Sequence, residues 1–344
     1  LTQHAKREPR LTLIIPARNE LKRWPAFWEA LGRQELQPNE IIVADGMSTD
    51  GSRAWLAERA GEEPRLRVLD NPAKIVPSAL NVALTAARGN LVARMDLHAD
   101  YPPSYLIRLV ELLDTRPDVA GVGGAMLTRG RTRFGRASAS VLASPVGMGG
   151  ARHRVGGASG PVEHVFSGCY RREALLAIGG WDERLSANED YEADVRIRMT
   201  QGLVWLEPLA CSTWYVRDKP SGLVKQMFRY GHHKALTLRI HPSSLSARQL
   251  VPPAMVAVLL VGPLLSRRLT LGAGSAYLVA TGVAGARLAR SQGADPLLGA
   301  VVPALVHLPW GFGLLTGIAR FASGRRPVVA LSDRMTSAPH PYSA

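Results

Sequence analysis

The stretch IIVADGMSTDGS, residues 41–52, decides the fold. An apolar run of strand character, Ile41 to Ala44, ends on the carboxylate of Asp45, and a turn rich in Gly, Ser and Thr leads into a helical pattern over 51–60. The same grammar repeats on both sides of it. LTLII (11–15) precedes a helical pattern over 20–33, and LRVLD (66–70) precedes one over 76–88. LVARM (91–95) precedes one over 102–114 that opens on Pro102-Pro103, and VAGVGGAM (119–126) reads as a fifth strand. Alternating strand and helix signals predict an α/β domain with a mostly parallel sheet covered by helices. Such sheets bind ligands outside the strand ends. Asp45, then Asp96-Leu97-His98 after the fourth strand, then Glu189-Asp190 at the start of a helical pattern over 189–201, place acids there three times. That order suggests a site for a metal, a diphosphate and a base, and makes the chain an enzyme candidate.

Beyond residue 127 the pattern changes. Thr128 to Gly160 is rich in Gly, Ser and Arg and reads as a mobile loop over the site. It lacks the interleaved aromatics of an RNA-binding arm, apart from Phe134, and no nucleic-acid partner is expected. Helical signal returns at 171–178, and LVWLE (203–207) is strand-like. The stretch SGLVKQMFRYGHHKALTLRI (221–240) alternates apolar and basic residues, as a helix at a bilayer interface does and as an ordinary surface helix also does. Three runs with almost no charge follow, 251–265, 269–286 and 297–319, the last long enough to span a bilayer. Their Gly and Pro content favours membrane helices over a buried soluble core. The expected organisation is a catalytic domain over 10–220, an interfacial helix over 221–246, a membrane domain of two to three helices over 247–321 and a tail over 322–344. A chain cut after about Ser246 is expected to keep a folded catalytic domain.

Composition fits this plan. With 42 Lys and Arg against 28 Asp and Glu, the net charge is +14, which suits an anionic partner such as a membrane surface or a diphosphate. Cys169 and Cys211 are the only cysteines, without metal-site spacing, and read as free thiols in a reducing compartment.

Two constellations carry chemistry. In Asp96-x-His98 the period of an extended segment puts both side chains on one side. The pair is either a two-point clamp for a divalent cation or a strand-end Asp beside a solvated His. Hard cations take oxygen ligands and are often completed by phosphates, and an imidazole tilts the choice from Mg²⁺ toward Mn²⁺. Glu189-Asp190 is by itself an acidic first helical turn of an ordinary kind. Just upstream, GGWDERL (179–185) brings Trp181, a core ring or a platform for a sugar.

Taken together, PARNE (16–20), DGMSTDGS (45–52), Asp96-x-His98, FSGCYRREALLAIGGWDE (166–183) and Asn188-Glu189-Asp190 resemble a family-2 inverting glycosyltransferase. NPAKIVPSALNVAL (71–84), RMDLHADYPPSYL (94–106) and HLPWGFGLLTG (307–317) are similar to its succinoglycan-biosynthesis, ExoA-type branch. The resemblance covers roughly 10–320 and implies a GT-A-like fold, a nucleotide-diphospho-sugar donor (UDP-glucose at family level) and transfer with inversion. By it, Pro16, Arg18, Glu20, Asp45, Ser48, Lys74 and Asp96 bind the nucleotide sugar, and Asp96 and His98 hold Mn²⁺ or Mg²⁺. Asp190 is the base. Trp181, Glu189 and the Gln226, Arg229, Tyr230 element serve the acceptor and the diphosphate. His98 stands where the family's metal motif has a second Asp, and Tyr230 where its Q-x-x-R-W signature has Trp.

The reading that follows is a hexosyltransferase of the bacterial cytoplasmic membrane, catalytic domain in the cytoplasm, acting on a lipid-linked saccharide in polysaccharide biosynthesis. A polyprenyl-phosphate sugar synthase differs from it in acceptor only. A soluble sugar-nucleotide nucleotidyltransferase would want a Gly- and Lys-rich loop where PARNE stands. A non-catalytic membrane scaffold would have no use for Asp190.

Overall fold

The computed structural model describes residues 10–322, in two compact units: the first holds the chain up to Ala125 and Ala158–Ser212, the second Met126–Gly157 and the chain from Thr213. In chain order the elements begin with β1 (Leu11–Ala17), α1 (Trp24–Gly32), β2 (Glu40–Asp45), α2 (Ser52–Glu62), β3 (Leu66–Asp70), α3 (Val76–Ala86) and β4 (Leu91–Arg94). Then come β5 (Ala99–Asp100), α4 (Tyr105–Thr115), β6 (Val119–Arg129), α5 (Arg133–Leu142), α6 (Pro145–Met148) and α7 (Arg152–Val155). After them run β7 (Gly160–Pro161), β8 (Phe166–Arg171), α8 (Arg172–Ala177), α9 (Glu189–Thr200) and β9 (Leu203–Tyr215). The described residues end with α10 (Pro220–Ile240), α11 (Val251–Leu265), α12 (Arg267–Ser291) and α13 (Pro296–Ala322).

The sheet runs in the order β3-β2-β1-β4-β8-β6-β9-β5, with β7 beside β9. Its first four strands are parallel, as the sequence predicts, and the register sets Asp45 opposite both Ala17 and Asp70. The other half is mixed. β8 slots antiparallel between β4 and β6, with Tyr170 opposite Val92 and Gly121. Both faces are buried, which explains the continuous apolar runs. Leu11, Leu13 and Ile15 pack with Trp24, Phe27 and Leu31 of α1, while Ile14, Ile42 and Ala44 pack with Leu80 and Leu84 of α3 and Ile197 of α9. Gly124 is dictated by β9: a Cβ there would lie 1.4 Å from the Ala210 carbonyl oxygen.

In the second unit the expectation of a mobile loop over 128–160 is overturned. Thr132 caps α5, its hydroxyl accepting from the Gly135 N–H at 3.0 Å. Ala137, Ser138, Ala139 and Ser140 of α5 are buried. Small side chains that look like linker composition are here a close-packing face. Ala139, Val141 and Leu142 form one apolar cluster with Leu223 and Met227 of α10 and Val302 and Val306 of α13. The expected cut after Ser246 therefore fails as a domain boundary, because it would remove Val302 and Val306 and uncover α5 and α10. Three helices, Ala247–Leu265, Arg267–Ser291 and Pro296–Ala322, are long and apolar enough to cross a membrane. The tail expected over 322–344 lies, past Ala322, outside the described residues.

Candidate functional site

The loops after β1, β2 and β3 and the head of α9 carry Asn19, Met47, Lys74 and Asn188, four of the five non-glycine residues with positive φ among the described residues (56°, 57°, 60° and 64°). Left-handed backbone at such residues is costly and gathers where function requires a particular loop shape. The loops after β1 and β2 are tied together. The Asn19 N–H donates to Ser48 Oγ at 2.8 Å, Asn19 Oδ1 accepts from the Thr49 N–H at 2.8 Å, and the Glu20 N–H donates to Ser52 Oγ at 3.1 Å. Asp45 is fully buried beneath them. Its carboxylate accepts from Ser48 Oγ at 2.5 Å, from the Ser48 N–H at 3.0 Å and from Arg53 at 2.9 Å. Asp45 thus shapes the loop, and a nucleotide base would share an already engaged carboxylate. Pro16, next to the end of β1, is half-buried, and Arg18 and Lys74 are exposed.

Past β4 stands a charged cluster that the sequence reveals only in part. Arg94, 8% exposed, grips Asp96 with Nε to Oδ1 at 2.8 Å and Nη2 to Oδ2 at 3.0 Å, and reaches Glu189 Oε1 with Nη1 at 3.4 Å. Burial works against its charge, but Asp96, Glu189 and Asp190 outweigh burial and raise its pKa further. The sequence does not single out Arg94, because a basic residue inside an apolar run reads as an edge of the strand, and its partner Glu189 is 95 positions away.

Glu189 feels the opposite balance. Burial, then the neighbouring Asp190 carboxylate, push its pKa up to about 7, with Arg94 pulling it back. A carboxyl whose folded pKa exceeds its unfolded value stabilises the protein below the unfolded value, here 4.5, and that contribution is lost as pH rises through about 7. Glu189→Gln is therefore expected to flatten the fall in melting temperature between pH 5 and pH 8. An unchanged slope in thermal melts across that range would remove Glu189 as its source.

Asp190, in the first turn of α9, is part exposed, and its Oδ1 accepts from the Tyr191 N–H at 2.8 Å. Its Oδ2 lies 3.6 Å from Nε2 of His164, a residue that no sequence motif marks. His164 Nδ1 is 2.7 Å from Oδ2 of Asp194, which is fully buried and also accepts from the Val165 N–H at 3.0 Å and Tyr170 Oη at 3.0 Å. An ionised Asp194 accepts only, so Nδ1 carries the proton and Nε2 is the nitrogen turned to Asp190. The signal available in sequence is the i, i+4 spacing of Asp190 and Asp194, which puts both on one face of α9.

His98, with a half-exposed imidazole, meets Glu20: Nε2 to Oε1 is 2.9 Å. Burial raises the Glu20 pKa, but hydrogen bonds and charge from His98 and Arg23 prevail and lower it. Among the described residues no three His, Cys, Asp or Glu side chains form a metal cluster. A cation here would take most of its ligands from elsewhere. The donor set still fits one that travels with a diphosphate, since each Asp96 oxygen keeps a lone pair beyond its bond to Arg94 and His98 is open to solvent.

The remaining expected residues fare differently. Trp181 is 3% exposed inside the second apolar cluster, its backbone N–H and carbonyl both bonded to the Asn81 amide at 2.8 Å. It is a core ring with almost no face for a sugar, which corrects the expectation of a stacking platform. Gln226, Arg229 and Tyr230 belong to α10 of the second unit, where Gln226 Nε2 donates to Tyr230 Oη at 2.9 Å and Arg229 is exposed. Cys169 and Cys211 form no disulfide, and Cys169 is buried.

Comparison with known proteins adds an independent finding. The family model described as Glycosyl transferase family 2 matches residues 12–179. The succinoglycan biosynthesis protein ExoA of Rhizobium meliloti (strain 1021) is 36% identical over 311 residues, 88% of this chain and 92% of that protein. An undecaprenyl-phosphate mannosyltransferase of Micrococcus luteus is 31% identical over 119 residues, 33% of this chain and 47% of that protein. Among solved structures, the mannosyltransferase PcManGT of Pyrobaculum calidifontis, in complex with GDP-Man and Mn2+, aligns over 96% of this chain and 80% of its own with a TM-score of 0.53 at 18% identity. That last likeness is one of fold, the GT-A-like arrangement.

Proposed function

The chain belongs to glycosyl transferase family 2, in the ExoA type, and we propose that it is a membrane-bound inverting enzyme that moves a hexose from a nucleotide-diphospho-sugar to a polyprenyl-diphosphate-linked saccharide. The observation that carries this reading is Asp190 at the head of α9, part exposed, beside the buried Arg94–Asp96–Glu189 cluster and backed by His164. The catalytic side of the membrane is read as cytoplasmic, where nucleotide sugars are made. UDP-glucose is the donor to test first.

Inversion needs one displacement at the anomeric carbon. Asp190 accepts the proton of the acceptor hydroxyl as the new carbon–oxygen bond forms. The bond from the anomeric carbon to the diphosphate oxygen breaks, and the nucleotide diphosphate leaves with its electron pair. No second, nucleophilic carboxylate is called for. With Glu189 shifted toward the neutral form, its carboxyl adds less repulsion to the arriving diphosphate. Asp96 and His98 would hold a divalent cation, Mn²⁺ or Mg²⁺, whose chemistry at that place is Lewis-acid relief of the diphosphate charge. The nucleotide itself would lie on the loops held by Asp45 and Ser48, near Pro16, Arg18, Glu20 and Lys74.

His164 is a positioning residue in this scheme. Fixed by Asp194, it keeps Nε2 facing Asp190 Oδ2 at 3.6 Å, where it can share the abstracted proton. His164→Ala is expected to lower kcat roughly 10- to 100-fold, less than loss of the base itself, with donor affinity unchanged and the pH profile of kcat displaced. His164→Asn should recover part of the rate. An unchanged pH profile in the alanine variant would remove the role.

The function as a whole is tested with the purified full-length protein in lipid nanodiscs, screened against nucleotide sugars with release of the free nucleotide diphosphate as readout. Turnover stimulated by a polyprenyl-diphosphate saccharide is expected. Turnover with bare polyprenyl phosphate alone would move the assignment to a polyprenyl-phosphate sugar synthase, and no turnover with any donor would overturn it.

A further inference from the structure

The three apolar helices of the second unit are not equivalent. In their most apolar 18-residue windows, 11% and 17% of positions are buried in the first two, against 39% in the third, which is α13. What covers α13 is unusual for a helix that crosses a bilayer.

One cover is α10, which runs beside α13 in the same direction. Leu223 and Met227 share an apolar cluster with Val302 and Val306. Further along, the Phe228 ring lies 6.1 Å from Phe312, the His232 ring lies 5.3 Å from Phe321, and Arg239 donates to the Phe321 carbonyl. Residue numbers rise together on both helices from 223 to 239, about 24 Å at 1.5 Å per residue. Contact over that length means near-alignment, because steeply crossed helices touch only around one point. Glycines set the closeness: a Cβ on Gly231 would lie 2.0 Å from the Trp310 carbonyl oxygen, and one on Gly313 would lie 2.2 Å from that of Phe228.

Yet α10 is no membrane helix. Lys225, Arg229 and Arg239 are exposed along it. If α13 crossed the bilayer, α10 would carry these cations through the hydrocarbon with it, where each is expensive. A second cover is α5, through Val141 and Leu142, and a third is α6: His307 Nε2 donates to the Val146 carbonyl at 2.7 Å, while its Nδ1 accepts from Tyr277 Oη at 2.7 Å. Helix α13 is the most covered of the three, its apolar stripe packed on protein while Leu297, Val301, Phe312 and Ile318 stay exposed. The α11–α12 hairpin is the reverse. Leu260, Val261, Leu264, Leu265, Leu269 and Leu271 flank its bend and are 54% to 85% exposed.

We infer that α13 does not cross the bilayer: the α11–α12 hairpin alone enters lipid, and α10 and α13 stay together on one side, with the cationic face of α10 at the level of anionic lipid headgroups. A hairpin returns to the face it left, so Lys225 and the end of α13 at Ala322 lie on the same side of the membrane. Three crossing helices would put them on opposite sides. This inference concerns membrane attachment and stands or falls apart from the transfer chemistry.

The test uses the full chain in sealed membrane vesicles of known orientation. Lys225→Cys and Ala322→Cys are introduced singly, with Cys169 and Cys211 replaced by alanine, and treated with a membrane-impermeant maleimide. Labelling of both positions in the same vesicle orientation is expected, with Leu264→Cys unreactive until detergent is added. Labelling of Ala322→Cys and Lys225→Cys in opposite orientations overturns the inference, as does a Lys225→Cys protected in both. Should the cysteine replacements impair folding, the natural chain with an epitope at each end distinguishes the same two topologies: antibody access to both epitopes from one side supports the inference, and access from opposite sides overturns it.

Discussion

Asp190→Asn should cut the transfer rate by about 10²- to 10⁴-fold, the range of a general base, while donor affinity and melting temperature stay near those of the natural protein. The amide keeps the shape of the side chain and can still accept from the Tyr191 N–H, the bond that fixes Oδ1 at 2.8 Å. What it loses is the capacity to take a proton from the acceptor hydroxyl. Because Asp190 is part exposed in the first turn of α9, its replacement leaves no buried charge uncompensated. Calorimetric donor binding and single-turnover transfer, measured on the same preparation, separate the two effects. A variant that retains more than about a tenth of the transfer rate is incompatible with Asp190 as base.

A larger effect on stability is expected at Arg94. Arg94→Met leaves Asp96 and Glu189 near each other in a site where all three side chains are at least four-fifths buried, without the cation that joins them. Breaking a buried pair from one side costs about 3–5 kcal/mol, read as a drop of roughly 10 °C in the melting midpoint of the first unit. The sign of its pH dependence follows from Glu189. Without Arg94 that carboxyl loses the charge that pulls its raised pKa back, so its folded pKa moves up further. The stability it retains at low pH is then lost as pH rises, and the deficit is larger at pH 8 than at pH 5. Arg94→Lys should recover only part of it, because an ammonium cannot reproduce the fork to both Asp96 oxygens while reaching Glu189. A midpoint within about 2 °C of the natural protein at pH 8 would refute the arrangement.

How far the site could be read from sequence depends on the range of each interaction. Asp45-to-Ser48 is legible because the bond closes within one turn. Asp96 and His98 are legible as residues, since they follow an apolar run directly, but not as partners. Asp96 is gripped by Arg94, while His98 bonds Glu20, 78 positions earlier, across the parallel pairing of β1 and β4. His164 lacks a local pattern, and only the antiparallel entry of β8 and the packing of α9 bring it to Asp190 and Asp194.

The sequence by itself determined the α/β half. Apolar runs buried on both faces, each closed by a turn, leave a strand few alternatives, and β3 spans Leu66–Asp70 as LRVLD predicts. It determined the family too, because motifs bound to strand ends keep their order along the chain. It also determined that the last third is apolar, though not what the apolar surface touches. Only the tertiary structure decided that Thr128 to Gly160 holds three helices, that Trp181 is core and that α13 is the most covered of the apolar helices. The physical reason is common to all three. Small residues, a lone indole and a run of leucines and glycines lower their free energy by contact with whatever apolar surface is nearest, and that surface, whether lipid, sugar or another helix, is fixed by partners far away in the chain.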